Sequence, residues 1–386
     1  MKYQKFLAVT LIISSIIFSA CNPFSNPQIS EEVVIKSEDN TNLYNHIIGL
    51  NLGAKQTIAI QYFNDEKDQF LKIIQNDKVT DSSSFKEISN VTIDSNGDVY
   101  YLGTNEESVI SLIKNDKEVI RGSFNGLYLS PKDQVFIKFH ANNSESLLDV
   151  EGNQIFKAKI IDNISFGPSG DLAFTYKSEE GDWYARYSNQ SVGPYSFVSS
   201  ISYSKDNDIA YITKSLVNQI ILHINEKEIS LKDDFTEFTN LAFETNKKVI
   251  FAGYAPAKMW YIQKNDRRMF EKNEVYNVLG EGKNIYLTGR NVKEDSKDFI
   301  YSMKKGKDIF EDLDLQYTYV TNSNDLLHAK KRAGTWLMYF NDRFVPNQES
   351  TKGYIQISKY YEDTNGNVYF LGEHGSGDIV LASIKD

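Results

Sequence analysis

The chain has 386 residues, 41% of them hydrophobic and 24% charged, and a formal net charge of −10. That composition is ordinary for a globular protein, while the acidic excess disfavours nucleic acid and anionic lipid, both of which recruit clustered Lys and Arg. Cys21 is the only cysteine, so disulfides within the chain, thiol metal sites and redox pairs are excluded. Proline is scarce (7) and Tyr and Phe are abundant (24 and 23), a bias that suits half-buried, pleated strands.

Residues 1–20 stand apart from such a fold. Lys2 and Lys5 form a basic start, 7–18 an apolar run, and Ser19 and Ala20 a small-residue end. This is the pattern of a secretory signal, too short to span a membrane as a helix. Phe18-Ser19-Ala20-Cys21 resembles the lipobox of bacterial lipoproteins, with Phe18 where that family more often has Leu. The resemblance implies cleavage before Cys21, diacylglycerol on its sulfur and acylation of the new amine. Several acyl chains on one residue give stable membrane anchoring. Cleavage removes Lys2 and Lys5 and no acid, taking the charge from −10 to −12. Asn22 follows the cysteine, not the Asp that resembles an inner-membrane retention signal, so the outer membrane is the expected address in a Gram-negative host. Residues 21–32, with two prolines and no periodicity, read as the lipid anchor and a flexible tether. Val33-Val34-Ile35-Lys36 is a brief, isolated β-like run.

From about residue 46 the chain repeats. A second strand sets the register: TIAI at 57–60, VYYL at 99–102, VFIK at 135–138, LAFT at 172–175 and IAYI at 209–212. It continues with VIFA at 249–252, IYLT at 285–288, LLHA at 326–329 and VYFL at 368–371, at spacings of 36 to 42 residues. One unit is legible in full. Strands over 201–204, 208–213, 219–224 and 227–232 are separated by the polar reversals Lys205-Asp206-Asn207 and Asn225-Glu226. Before each inner turn sits an apolar pair two residues apart, such as Val91/Ile93, Leu127/Leu129 and Ile201/Tyr203, which places both on one face.

Four antiparallel strands per forty residues, repeated nine times, is the signature of a β-propeller. The repeats resemble WD-repeat-like blades of the TolB type, whose inner hairpin carries a Ser-Pro-Asp-Gly turn. Ser130-Pro131 and Gly167-Pro168-Ser169-Gly170 come near that form, and the other turns are degenerate. The last unit has only three strands, so the run at 33–36 is expected to supply the fourth and close the ring. The expectation is an all-β chain: one propeller over 33–386 of about nine four-stranded blades, with an eight-bladed ring as the alternative.

Little of this carries chemistry. Trp183, Trp260 and Trp336 fall at a register position that is Ile110, Leu147, Ile220 or Ile379 in other blades, which reads as packing between sheets, with ligand stacking the alternative. DSNGD at 94–98 and DTNGN at 363–367 resemble the start of a calcium loop. The twelfth residues, Asn105 and His374, are not the bidentate Glu such a loop needs, so both read as hairpin turns. His46, His140, His223, His328 and His374 are scattered through five blades. Lys330-Lys331-Arg332 and Arg267-Arg268 are short basic runs that read as solvated loops. No zinc, nucleophile-elbow, Walker or dinucleotide motif occurs, so no catalytic residue, metal ligand or cofactor is assigned.

The function expected is a lipid-anchored, non-catalytic binding or scaffold protein of the bacterial envelope, held to the membrane through lipid on Cys21, with a protein or glycan partner and no nucleic acid. The alternatives are a subunit of an envelope assembly, or an envelope hydrolase or lyase with carboxylates at the channel mouth.

Overall fold

The computed structural model describes residues 28–36, 47–64, 66–76, 78–256, 259–291, 297–311, 317–341, 343–346, 353–363, 365–376 and 378–385. The signal segment, Cys21 and His46 lie outside them. Nine sheets of antiparallel strands follow one another in a ring. Blade 1 spans 47–81, blade 2 87–122, blade 3 124–158, blade 4 160–195 and blade 5 197–230. Blade 6 spans 237–272, blade 7 274–311 and blade 8 319–345, and blade 9 joins 356–385 to the N-terminal strand. The nine-bladed expectation holds, and the eight-bladed alternative falls away.

Why nine sheets hold together is visible in how their side chains divide. The second strand is buried almost throughout, as in Val99–Thr104 and Ile209–Lys214, because both of its faces meet neighbouring blades. Nine hydrophobic clusters result, one at each junction between blades. One junction joins Ala59, Leu71 and Ile73 of blade 1 to Tyr101 and Ile113 of blade 2. The ninth joins Leu50, Ile58 and Ile60 of blade 1 to Leu371, Ile379 and Leu381 of blade 9. Each fully buried Leu, Ile or Phe contributes about 1.5–3 kcal/mol, so no blade retains its stability alone.

Closure comes from Gln28–Ile35, paired antiparallel with Ile379–Lys385 from Gln28 opposite Lys385 to Ile35 opposite Ile379. The strand begins five residues before the expected 33, so residues 28–32 belong to the sheet and not to the tether. Their composition disguised this: Ser30, Glu31 and Glu32 are polar, as befits an outer strand. Glu31 points inward, hydrogen bonded by the Tyr354 hydroxyl and 3.4 Å from Nε2 of the buried His374.

The inner strands differ from expectation in a second way. They start earlier and are broken by a bulge, so blade 5 has Phe197–Val198 and then Ser202–Tyr203 where only 201–204 is expected. A buried hydroxyl mends the ladder at the break. Ser199 accepts from the Ile212 amide, Thr239 from Ala252 and Ser358 from Leu371, at 2.8–2.9 Å. Four residues before two of these hydroxyls an aromatic side chain lies over a glycine of the second strand: Phe235 over Gly253 and Tyr354 over Gly372, with Phe85 over Gly103 in blade 2.

The turns follow local chemistry. Asp94 Oδ1 accepts from the amides of Asn96 and Asp98, and Asp363 from Asn365 and Asn367, with Gly97 and Gly366 at positive φ. These are hairpin turns, as expected. Asn225, at φ 51°, accepts from the Ile209 amide and donates to Asp208, and Asn115 and Asn341 repeat the arrangement.

A Cβ added at Gly253 would sit 2.7 Å from the Phe235 ring, whereas one at Gly375 meets nothing within 4 Å. Gly253→Ala is therefore expected to cost about 1–3 kcal/mol by overpacking, and Gly375→Ala to be near neutral. Urea unfolding of the two variants checks this, and equal midpoints would contradict the packing.

Candidate functional site

Strand direction gives the ring two unlike faces. The turn of each inner hairpin and the turn between third and fourth strands lie on one side, the hairpin face. The turns between second and third strands and the linkers between blades lie on the other, the linker face.

A cleft of about 690 Å³ opens on the linker face between blades 2 and 3. Its floor is apolar, with Phe124 and Phe139 tilted against each other at 5.9 Å beside Ile110. Its rim is polar, with Arg121, Ser123, Asn125 and His140. Arg121 Nε donates to both carboxylate oxygens of Glu118 at 2.7 Å, which holds Glu118 below the usual carboxylate range. That fixes the Arg121 side chain and leaves its two Nη groups uncommitted among the described residues. Behind the rim, Asn125 Nδ2 donates to the buried Glu145, which also accepts from the Ile161 amide at 2.6 Å and lies 3.3 Å from Lys138 Nζ. Blade 4 is thereby fastened to blade 3 under the cleft. The arrangement suits a ligand with an apolar body and an acceptor or anionic group.

A second cavity, of about 320 Å³, opens on the hairpin face within the ring, between blades 4 and 7. Its walls are built by hydrogen bonds from blade to blade. Ser165 Oγ donates to the Ile201 carbonyl, Ser202 Oγ accepts from the Leu241 amide, and the Asn240 side-chain amide clamps both backbone groups of Val278. Tyr203 lines it with a buried hydroxyl that has no partner among the described residues, and burial pushes its pKa up to about 12. Over the cavity Glu281 of blade 7 accepts from the Lys205 amide of blade 5, 3.1 Å away, bridging past blade 6.

Two other carboxylates on the hairpin face bridge neighbouring blades in a similar way. Asp133 accepts from Ser95 of blade 2, and Glu362 from Tyr319 and Asn322 of blade 8.

The tryptophans lie in junction clusters: Trp183 between blades 4 and 5, Trp260 between 6 and 7, and Trp336, 5% exposed, between 8 and 9. The described histidines are not brought together. His140 is exposed at the cleft rim. His223 is buried against Tyr211, with Nε2 2.8 Å from Thr213 Oγ1, and burial pulls its pKa down. Among the described residues no group of three His, Cys, Asp or Glu is placed to hold a metal. In the basic runs, Arg268 pairs with Asp233 and lies over Tyr261, while Lys331 lies over Trp336. Sequence reasoning missed the cleft because its rim joins residues from three separated segments, none of them a motif.

His328 is the least comfortable group. It is fully buried beside Phe310 and stacked on Tyr339 5.1 Å away, with both ring nitrogens unpartnered among the described residues. Burial pulls its pKa down to about 3. The folded state therefore keeps it neutral while the unfolded chain takes up a proton below about pH 6.5. Stability is lost as pH falls through that value, by up to about 1.4 kcal/mol per pH unit. His328→Phe is expected to remove this component and to flatten the dependence between pH 7.5 and 5, read from urea midpoints. An unchanged slope would contradict the assignment.

Neither a family model nor a curated protein matches the chain. Among solved structures it is similar to a virginiamycin B lyase from Staphylococcus aureus, at 14% identity over 68% of this chain and 96% of that one, with a TM-score of 0.30. It is also similar to the WD40 propeller domain of Doa1, at 10% identity over 69% and 96%, with a TM-score of 0.36. A eukaryotic initiation factor structure gives 9% identity over 76% and 84%, with a TM-score of 0.47. Likeness at this level brings no activity or ligand to the chain, whose assignment as a nine-bladed propeller rests on its own nine sheets.

Proposed function

We propose that this chain is a bacterial lipoprotein with TolB-type repeats, held to the envelope membrane by lipid on Cys21, and acts as a non-catalytic binding or scaffold propeller for a protein or glycan. The observation that carries the reading is the direction of the closing strand. Gln28 lies opposite Lys385, at the hairpin-face end of the outer edge of blade 9. Six residues, 22–27, separate it from the lipidated cysteine, so the seven steps from Cys21 to Gln28 reach at most about 25 Å. The hairpin face is thus the one nearer the membrane, and the linker face with its cleft is presented away from it. An assembly role is the second reading. Its support is Leu216 and Val217, 59% and 83% exposed at a turn of that same presented face.

Ser123→Trp fills the mouth of the cleft. With the full-length lipoprotein as bait in detergent-solubilised envelope, the wild type is expected to retain a ligand that Ser123→Trp loses and Val217→Asp keeps. Loss by Val217→Asp alone would move the assignment to the assembly role, and identical capture by all three would overturn the cleft. Cys21→Ser is expected in the soluble fraction after a high-salt wash. Retention on the membrane would overturn the anchor.

A further inference from the structure

Charge is spread unevenly over the turns of the ring. Blades 6 and 7 bring four turns together on the hairpin face, carrying Lys247, Lys248, Arg267, Lys283, Lys304 and Lys307, all exposed. None of the six forms an ion pair among the described residues, and Lys305 lies on the same turns. The turns are tied to one another. The Asn265 side chain donates to the Lys247 carbonyl, the Gly282 amide to the Phe243 carbonyl and the Met303 amide to the Ile285 carbonyl. Against these cations stand Asp266, Glu244, which is held by Lys264, and Glu281, which is held by the Lys205 amide. On the linker face the turns of blades 1, 2 and 4 are acidic, with Glu66, Asp68, Glu106, Glu107, Glu179 and Glu180 against Lys67, and the basic turn there is that of blade 8, with Lys331 and Arg332. A chain of net charge −10 therefore carries a cationic sector on the face from which its N-terminal strand departs.

We propose that this sector of blades 6 and 7 docks on anionic phospholipid headgroups of the membrane that holds the anchor. The inference rests on the lipid-anchor reading. The tether keeps the hairpin face within reach of the surface, the exposed ammonium and guanidinium groups meet lipid phosphates within a Debye length, and the acidic turns of blades 1, 2 and 4 on the linker face are repelled. The propeller then lies with its ring axis steep to the membrane and its cleft outward. The overall acidity of the sequence argues against such contact. The fold nevertheless collects cations from runs too short to register singly into one sector.

The test uses the chain from residue 21 with Cys21→Ser, which keeps every described strand and removes the lipid. Co-sedimentation with vesicles of phosphatidylcholine alone is compared with vesicles containing roughly a quarter phosphatidylglycerol. Binding to the anionic vesicles is expected to be at least about tenfold tighter, and to fall to the neutral level by about 0.5 M salt. The fourfold variant Lys247→Glu, Arg267→Glu, Lys283→Glu, Lys304→Glu is expected to lose it. Reversal of Lys67, Lys86, Lys159 and Lys232 on the linker face is expected to keep it, with both variants melting near the parent. Equal binding to the two vesicle types, no binding, or equal loss in both variants would overturn the docking. Because no lipid is attached, these results stand whether or not Cys21 is acylated in cells, which the fractionation of Cys21→Ser decides separately.

Discussion

A propeller blade cannot cover its own faces, so each of the nine sheets depends on two neighbours, and chain connectivity supplies eight of the nine junctions. The ninth, between blades 9 and 1, exists because Gln28–Ile35 completes blade 9 from outside the repeat. Without that strand the backbone groups of Ile379–Lys385 form an open edge, a template for aggregation. Loss of the junction would also expose Leu371, Ile379 and Leu381. The polar cluster of Glu31, Tyr354 and His374 adds specificity to this pairing. Glu31 is buried once the strand is seated, and a slipped register would leave its carboxylate without its partners, a costly state in a low-dielectric interior.

The same strand gives the ring a sense of direction. An antiparallel outer strand that starts opposite Lys385 must leave the sheet on the hairpin face, whatever precedes it in the chain. Cleft, exposed apolar tip and acidic turns then fall on one side, and the cationic turns of blades 6 and 7 on the other. Which surface the ring presents is set by that division more than by any single residue.

Much of the fold was legible in the sequence because the second strand of each blade is buried on both sides and must be apolar at a fixed spacing. The Asp-x-Asn-Gly turns were readable for a similar reason, since positive φ selects Gly and Asn. What escaped was polar residues doing apolar work. Ser199, Thr239 and Ser358 are buried, and each is satisfied by a strand amide. They made the first halves of the inner strands look like loop. Asn90 and Asn163, at φ 54° and 50°, did the same at their bulges. A signal for these halves was present: Phe85 and Gly103, Phe235 and Gly253, and Tyr354 and Gly372 are each eighteen residues apart. That spacing reports an aromatic ring folded over a strand glycine. The cleft and the basic sector were illegible in principle, since each is assembled by the ring from turns distant in sequence.

Ring closure and the direction of the N-terminal segment both depend on the closing strand. Ser30 faces Ser383 in its register, and directly opposed residues of an antiparallel pair come close enough for a disulfide. In a Cys21→Ser background, Ser30→Cys with Ser383→Cys is predicted to oxidise within one chain. Peptide mapping of the monomer should then find one cross-link, between positions 30 and 383. Absence of the link, or a link joining two chains, would contradict a ring that closes on its own N-terminal strand.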